Sequence, residues 1–214
     1  MIRTTYQTVR DLLAAEPESV SIENAVSGRS AIAVLAPQAG SIEPMTGELA
    51  RAIAGKIHRF YGFNGISVRD TFRYRVPAVR FDEPILRSVL QGARTAIAIN
   101  GASGDEDAVT LIGGVNRRLV EAIRARLEAA GFAVMDAQPR DTPADPRSLF
   151  NRVPEGGVQL ELTNRLREDL RGGWLRRLRF EAYVAAIRSA LAQELAIPGP
   201  AWEDLRTRSA SAAI

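Results

Sequence analysis

The segment Val34-Leu-Ala-Pro-Gln-Ala-Gly-Ser-Ile-Glu43 joins a predicted strand to a predicted helix through a short polar loop. The apolar run over residues 31–36 predicts a buried strand, which we expect to end at Pro37. Gln38 and Glu43 lie in the loop, and a helix pattern begins directly after it. A buried strand, a polar loop and a helix in this order form one unit of a layered α/β domain.

The alternation of strands and helices continues along the chain. It predicts a single-domain, three-layer α/β/α fold with a mixed, largely parallel central sheet over residues 1–196. A loosely held tail is expected over residues 197–214. Strands are predicted over residues 19–24, 31–36, 95–100, 109–112, 132–135 and 158–163, an extended segment over 66–76, and helices over 5–15, 45–60, 83–91, 116–130 and 180–195.

Polar residues follow three of the predicted strands. They cluster over residues 38–43, 100–106 and 161–167. In largely parallel sheets, ligands bind at the carboxyl ends of the strands. We therefore expect the three clusters to surround one site.

The composition restricts the class of protein. The 214 residues, 46% of them hydrophobic, suffice for one sizeable core. The absence of cysteine excludes disulfides and thiolate metal sites. No stretch reaches the roughly 20 apolar residues of a membrane span, and the first residues lack a signal-peptide pattern. We expect a cytoplasmic protein with no membrane association.

The positive charge does not indicate nucleic-acid binding. The net charge is +3 and the sequence pI is about 9.8. Lys56 is the only lysine, and the arginines are scattered, apart from a cluster in Arg171-Gly-Gly-Trp-Leu-Arg-Arg-Leu-Arg179. Scattered arginines are typical of a solvated surface rather than of a phosphate-binding face. Nucleic acid is therefore not an expected partner.

Several short motifs occur in a specific order between about residues 30 and 170. In this ordered series the chain resembles the poly-γ-glutamate hydrolase family, zinc enzymes of bacteria and phages that look like relatives of zinc carboxypeptidases. The resemblance implies a zinc-peptidase-like fold. The series comprises Ala33-Val-Leu-Ala-Pro-Gln-Ala-Gly-Ser-Ile-Glu-Pro-Met-Thr-Gly-Glu-Leu-Ala-Arg-Ala-Ile-Ala54, Phe60-Tyr-Gly-Phe-Asn-Gly65, Phe81-Asp-Glu-Pro84, Ala98-Ile-Asn-Gly101, Ile112-Gly-Gly114, Asn151-Arg152, Gly157-Val-Gln-Leu-Glu-Leu-Thr163 and Leu166-Arg167.

The resemblance also implies where zinc would bind. The family's first loop has the pattern Pro-His-Gly-Gly-x-Ile-Glu, so its histidine ligand falls on Gln38 and its glutamate on Glu43. The third ligand, from Ile-His-Gly, falls on Asn100. Where further histidines are expected, the chain has Arg75 and Arg80. Neutral amides bind zinc poorly and arginine stays protonated, so only Glu43 remains a competent ligand among these positions.

Two ways of rebuilding a metal site can be considered. His58, the sole histidine, is expected to be a partly buried residue on the face of the helix predicted over residues 45–60, rather than a relocated ligand. Glu43, Asp105 and Glu106 could form a carboxylate site, which would favour Mg²⁺, Mn²⁺ or Ca²⁺. The alternative, which we prefer, is that Asp105-Glu-Asp107 is a solvated acidic loop. We expect no cofactor, and zinc only if other residues rebuild the site.

The resemblance places Glu161 at the position of the family's general base. The strand predicted around it alternates apolar residues with Gln159, Glu161 and Thr163. Two interpretations remain: an ordinary half-exposed strand with its polar face in water, or a carboxylate directed into the former cleft. Without a metal-bound water to deprotonate, a base at this position would be vestigial.

The resemblance also places Arg75, Arg80, Asn151, Arg152 and Arg167 near the cleft. Arginine binds carboxylates through two parallel hydrogen bonds, which suits a glutamate-rich polyanion. Alternatively, the arginines that replace histidines could fill the metal position and pair with Glu43 and Glu161, giving a network of ion pairs. We slightly prefer this second interpretation.

Three functions follow as hypotheses. The leading one is a degenerate member of the family, a pseudoenzyme that binds an anionic peptide or a protein partner in the former cleft. The second is an active metal-dependent amidase or peptidase on γ-glutamyl polymers with an altered metal site. The third is a structural or interaction protein of phage origin, for which Arg171–Arg179 and Trp174 would be interface candidates.

Overall fold

The computed structural model describes residues 5–26, 30–67, 69–138 and 143–196. Strands and helices alternate along the chain, as the sequence pattern predicts. The strands are β1 (Val20–Ala25), β2 (Ile32–Gly40), β3 (Arg59–Gly65), β4 (Thr95–Gly101), β5 (Val109–Gly114), β6 (Ala133–Asp136) and β7 (Gly157–Leu162). The helices are α1 (Val9–Ala15), α2 (Thr46–Ala54), α3 (Pro84–Leu90), α4 (Arg117–Ala129), α5 (Asn164–Asp169) and α6 (Trp174–Ala196), with 3₁₀ turns at Pro17–Ser19, Thr71–Tyr74, Ala78–Arg80 and Leu149–Asn151.

The seven strands found in the described residues form one mixed sheet in the order β1-β3-β2-β4-β7-β5-β6. Strands β3, β2, β4 and β7 form a parallel block. Strand β1 is antiparallel to β3, while β5 and β6 run parallel to each other and β5 is antiparallel to β7. The predicted single-domain α/β fold with a mixed, largely parallel sheet is therefore confirmed.

The sheet separates two apolar cores, so the architecture has three layers. Helices α2, α4 and α6 cover one face, where Val34 and Ile97 contribute to the core. Helices α1 and α3 cover the other face, to which Leu35 and Ala98 contribute. Because successive strand residues point to opposite faces, the continuous apolar runs of β2 and β4 supply both cores. Fully burying one side chain such as that of Leu35 contributes about 1.5–3 kcal/mol.

Strand β2 was expected to end at Pro37, but it does not. It continues to Gly40, and its pairing with β3 shifts register between Ala36 and Ala39. Such a bulge accommodates a proline, which cannot donate to the ladder, within an otherwise continuous strand. Gln38 is consequently a residue of the bulged strand rather than of a loop.

The helix predicted over residues 45–60 ends much earlier than expected. Helix α2 stops at Ala54, and Gly55 caps it with a φ of +54°. The next seven residues from Arg59 form β3, a buried strand that the sequence interpretation missed. Its glycines and aromatic residues looked like a turn, yet they pack between β1 and β2. Tertiary pairing overrides the weak local preference there.

The C-terminal part of the chain also differs from the prediction. Helix α5 was not predicted, and α6 begins at Trp174 rather than at Phe180. The extended segment expected over residues 66–76 instead contains the 3₁₀ turn Thr71–Tyr74. The predicted tail over residues 197–214 lies outside the described residues. Among the described helices, none has the length and hydropathy needed to cross a membrane.

Candidate functional site

Three neighbouring strands bring the predicted polar clusters together. Strands β2, β4 and β7 are adjacent and parallel, so their carboxyl ends meet at one edge of the sheet. The amide of Gly101, at the end of β4, donates to Glu43 Oε2 at 2.6 Å. Nη1 of Arg167 donates to the carbonyl of Pro44 at 3.2 Å. The segments after all three strands therefore contact one another, as expected.

Glu43 is at the centre of this site and is only 3% exposed. Its second oxygen, Oε1, lies 3.1 Å from Nη2 of Arg75. Burial raises the pKa of Glu43 to about 7, although Arg75, the Gly101 amide and Arg167 act in the opposite direction. The desolvation of the carboxylate therefore outweighs the two neighbouring cations.

Arg167 is a second cation fixed close to Glu43. It is 9% exposed, and its guanidinium donates to the carbonyls of Leu162 at 3.3 Å and Ala102 at 3.4 Å, and also to Asn164 Oδ1. Burial lowers its pKa from the usual value, while the carboxylate of Glu43 raises it. Gly101 makes this approach possible, because a Cβ there would lie 2.9 Å from Arg167 Cζ.

Arg75 follows the 3₁₀ turn Thr71–Tyr74 and reaches Glu43 from the opposite side. Its side chain is 23% exposed, and its guanidinium carbon lies 4.8 Å from the centre of the Phe72 ring. The Nε of Arg75 is buried without a hydrogen-bond partner among the described residues. The ion pair expected between Glu43 and an arginine is thus present for Arg75. Arg80, by contrast, is exposed on the turn Ala78–Arg80.

A row of amide side chains lies beside the ion pair. Gln38 donates through Nε2 to the Val76 carbonyl at 3.2 Å, and its Oε1 is buried without a hydrogen-bond partner among the described residues. Oδ1 of Asn100 is also buried without a partner in the described part of the chain. Asn100 is paired in register with Glu161 across β4 and β7. Buried acceptors of this kind are uncommon in native proteins and often mark a ligand site.

Strand β7 completes the row. Gln159 is 4% exposed and donates through Nε2 to Glu161, while its Oε1 has no partner within the described residues. Glu161 itself is half-buried. The interpretation of β7 as a half-exposed strand is therefore wrong for Gln159. The sequence did not indicate this burial, because β7 lies inside the sheet between β4 and β5, strands that are remote from it in sequence.

Asn151 and Arg152 hold main-chain segments around the site. Asn151 accepts from the Gly157 amide at 3.1 Å and donates to the carbonyls of Pro143 and Asp145. Arg152 donates to the carbonyls of Phe81 at 2.5 Å and Val79 at 3.1 Å, among others. Both side chains are engaged by the protein itself, which is a positioning role. Their predicted contact with a substrate stays a prediction.

The residues at this edge do not fit a zinc ion. In the described residues, no three His, Cys, Asp or Glu side chains form a metal-binding group, so Glu43, Asp105 and Glu106 do not converge into one. His58 lies at the opposite edge of the sheet, immediately before β3, where its Nδ1 is 2.8 Å from Ser30 Oγ. It is buried, as expected, but it lies after α2 rather than on it. Both oxygens of Glu43 already have protein partners.

Comparisons with known proteins agree with this architecture. The model of the family described as poly-gamma-glutamate hydrolase matches residues 6–176. A solved structure of a bacteriophage poly-gamma-glutamate hydrolase superposes with a TM-score of 0.83 at 29% identity, covering 90% of this chain and 99% of that one. The zinc-free apo form of YndL superposes with a TM-score of 0.82 at 22% identity, with the same coverage, and shows the shared fold.

Two curated relatives come from Bacillus subtilis (strain 168). The UPF0714 protein YmaC is 27% identical over 201 residues, which cover 89% of this chain and 85% of YmaC. The SPbeta prophage-derived UPF0714 protein YoqZ is 28% identical over 142 residues, covering 65% of this chain and 51% of YoqZ. The similarity to YmaC therefore extends over most of both chains.

Proposed function

The chain belongs to the poly-γ-glutamate hydrolase family, and from this premise we propose that it is a degenerate member that binds an anionic γ-glutamyl-type peptide without hydrolysing it. The observation that carries the proposal is the Arg75–Glu43 ion pair of 3.1 Å. Arg75 and Arg167 flank the one carboxylate that the resemblance assigns to the metal. In this proposal, Gln38 and Asn100 stand where the family has histidine ligands.

A cation beside Glu43 opposes metal binding for two reasons. A guanidinium stays protonated and cannot coordinate, and its positive charge repels a divalent ion at close range. Arg75 also pairs with Oε1 of Glu43, and the Gly101 amide donates to Oε2. A bound zinc ion would have to displace both partners. It would, when bound, supply a polarised water for hydrolysis.

The same residues suit a peptide that carries carboxylates and amide groups. A carboxylate of the ligand can accept from Arg75, whose Nε has no hydrogen-bond partner among the described residues. Amide N–H groups of the ligand can donate to Gln38 Oε1 and Gln159 Oε1, the buried acceptors identified above. Glu161 would act as a further acceptor rather than as a general base.

The proposal is tested by calorimetric titration of the metal-stripped protein with zinc, manganese and a γ-glutamyl tripeptide. We expect no one-to-one metal binding and measurable peptide binding, which Arg75→Ala weakens. Arg126→Ala is the matched control, because Arg126 is an exposed arginine on α4. Tight metal binding accompanied by peptide hydrolysis would establish the active amidase instead.

A gain-of-function variant tests the assignment of the ligand positions. The triple variant Gln38→His, Asn100→His and Arg75→Ala supplies two imidazoles beside Glu43 and removes the competing cation. We expect this variant to bind one zinc ion. If it remains folded, as judged by circular dichroism, and still binds no zinc, these positions do not correspond to the family's ligands.

A further inference from the structure

A surface groove lies along the segment that joins β2 to α2. It has a volume of about 430 Å³ and is lined by Gly40, Ser41, Met45 and Arg171, among others. A smaller hollow of about 170 Å³ shares Met45 and Arg171 with it and adds Arg167. The two hollows therefore adjoin each other, and the second lies against Arg167, the buried cation beside Glu43.

The walls of this groove carry polar groups without partners. The Oγ of Ser41 is buried and has no hydrogen bond within the described residues. Arg171 is exposed, and its guanidinium has no ion pair or hydrogen bond with another described residue. Met45 has a φ of +77°, a strained conformation for a residue with a side chain. The rim also carries the exposed carboxylates of Glu48 and Glu168.

The groove leads to the exposed beginning of α6. Gly172 and Gly173 both have positive φ values, +71° and +69°, and they form the turn that precedes α6. Its first residues are largely solvent-exposed: Trp174 is 73% exposed, Leu175 71% and Leu178 47%. Residues 171–179 are all exposed, so four arginines flank the three apolar side chains.

Apolar side chains alternating with arginines match the chemistry of a γ-glutamyl chain. Each unit of such a chain presents a carboxylate, an amide and a pair of methylene groups. Arginine pairs with the carboxylates, and tryptophan and leucine cover the methylenes. A membrane surface fits less well, because an interfacial helix needs an apolar face over several turns and only three apolar residues are available.

We propose that Arg171, Trp174, Leu175 and Leu178 form an extended track that binds the units of an anionic γ-glutamyl polymer beyond those held in the cleft. This inference rests on the proposed function of the cleft. A short peptide bound in the cleft does not reach the track, whereas a longer polymer does. The polymer then binds more tightly than a tripeptide because several linked contacts act together.

The test compares the affinities of poly-γ-glutamate and of a γ-glutamyl tripeptide for the full chain, measured by calorimetry or interferometry. The double variant Arg171→Ala/Trp174→Ala should lower the ratio of the two affinities about tenfold, equivalent to the loss of one strong contact. Arg126→Ala and Met135→Ala are matched controls, since both side chains are exposed and lie outside the track. Glu168→Gln should raise the polymer affinity, because it removes a like charge from the rim.

Three outcomes would overturn the track. In the first, the double variant retains the full ratio of affinities while the wild-type protein binds both ligands, so the cleft alone accounts for binding. In the second, vesicles rich in anionic lipid bind the wild-type protein and not the double variant, which assigns the patch to a membrane. Failure of the wild-type protein to bind either ligand refutes the function of the cleft as well. If polymer binding depends on Trp174 but not on Arg75, only the proposed function of the cleft is refuted, and the track is supported.

Discussion

Replacing Glu43 by glutamine should change the pH dependence of stability more than any other single substitution at the site. Burial raises the pKa of Glu43 to about 7 from its ordinary 4.5. The native state therefore favours the protonated carboxyl. Protonation of Glu43 therefore adds to the free energy of unfolding. This contribution is fully present below pH 4.5 and is lost as the pH rises through 7, because the Glu43 carboxyl of the unfolded chain ionises at a lower pH than that of the native state. The difference of pKa corresponds to roughly 3 kcal/mol.

Glutamine is nearly isosteric with the protonated carboxyl and cannot ionise. At pH 4.5 the variant Glu43→Gln should therefore be about as stable as the wild-type protein. At pH 8 it should be more stable by up to about 3 kcal/mol, the size of the lost stabilisation. The Arg75 guanidinium loses its partner in the variant, but it is 23% exposed and retains access to water. Its unpaired charge should therefore cost little.

Urea denaturation at a series of pH values measures this difference directly. The control is Glu181→Gln, since Glu181 is an exposed residue of α6 that pairs with Arg177 at the surface. The reasoning would be refuted if the wild-type protein and Glu43→Gln showed parallel stability curves between pH 4.5 and 8. It would equally fail if the variant were the less stable protein at pH 8, because the ion pair would then outweigh the burial of the carboxylate.

Three further results are expected. Affinity for an anionic γ-glutamyl tripeptide should rise as the pH falls from 8 to 6, because protonation of Glu43 leaves the charge of Arg75 uncompensated. Calorimetry at each pH measures this affinity, and Glu43→Gln should abolish its pH dependence. Gly101→Ala should destabilise the fold by about 1–3 kcal/mol, since the new Cβ would lie 2.9 Å from Arg167 Cζ; thermal unfolding detects the loss, and an unchanged midpoint would show that Arg167 is free to move. Asn151→Ala should cost at least about 2 kcal/mol, because it removes the acceptor of the Gly157 amide and two donors to carbonyls; Asn164→Ala, in a half-buried position, should cost less in the same urea titration.

Much of the fold follows from local patterns in the sequence. The apolar runs of β2 and β4 and the spacing of apolar residues in α4 predict these elements within a few residues. The alternation of strands and helices predicts a largely parallel sheet, and hence that the polar segments after β2, β4 and β7 meet at one edge of it. That expectation is correct because carboxyl ends of adjacent parallel strands lie on the same side of a sheet.

Strand β3, which the sequence interpretation missed, is stabilised by distant partners. Strand β3 has a glycine-rich sequence with a weak local preference, and it is held by hydrogen bonds to β1 and β2 on either side. The continuation of β2 past Pro37 depends on the same neighbour. Local propensity cannot report such pairings, because the groups that satisfy the backbone come from elsewhere in the chain.

The sequence by itself determined which residue types are available for the candidate site: one central carboxylate, several amides and several arginines, with no cysteine and one remote histidine. Only the tertiary structure decided that Arg75 turns inward to Glu43 while Arg80 stays exposed, and that Gln159 is buried. The physical reason is that ion pairing and desolvation depend on the packing of segments far apart in sequence, whereas strand and helix periodicity is a property of neighbouring residues.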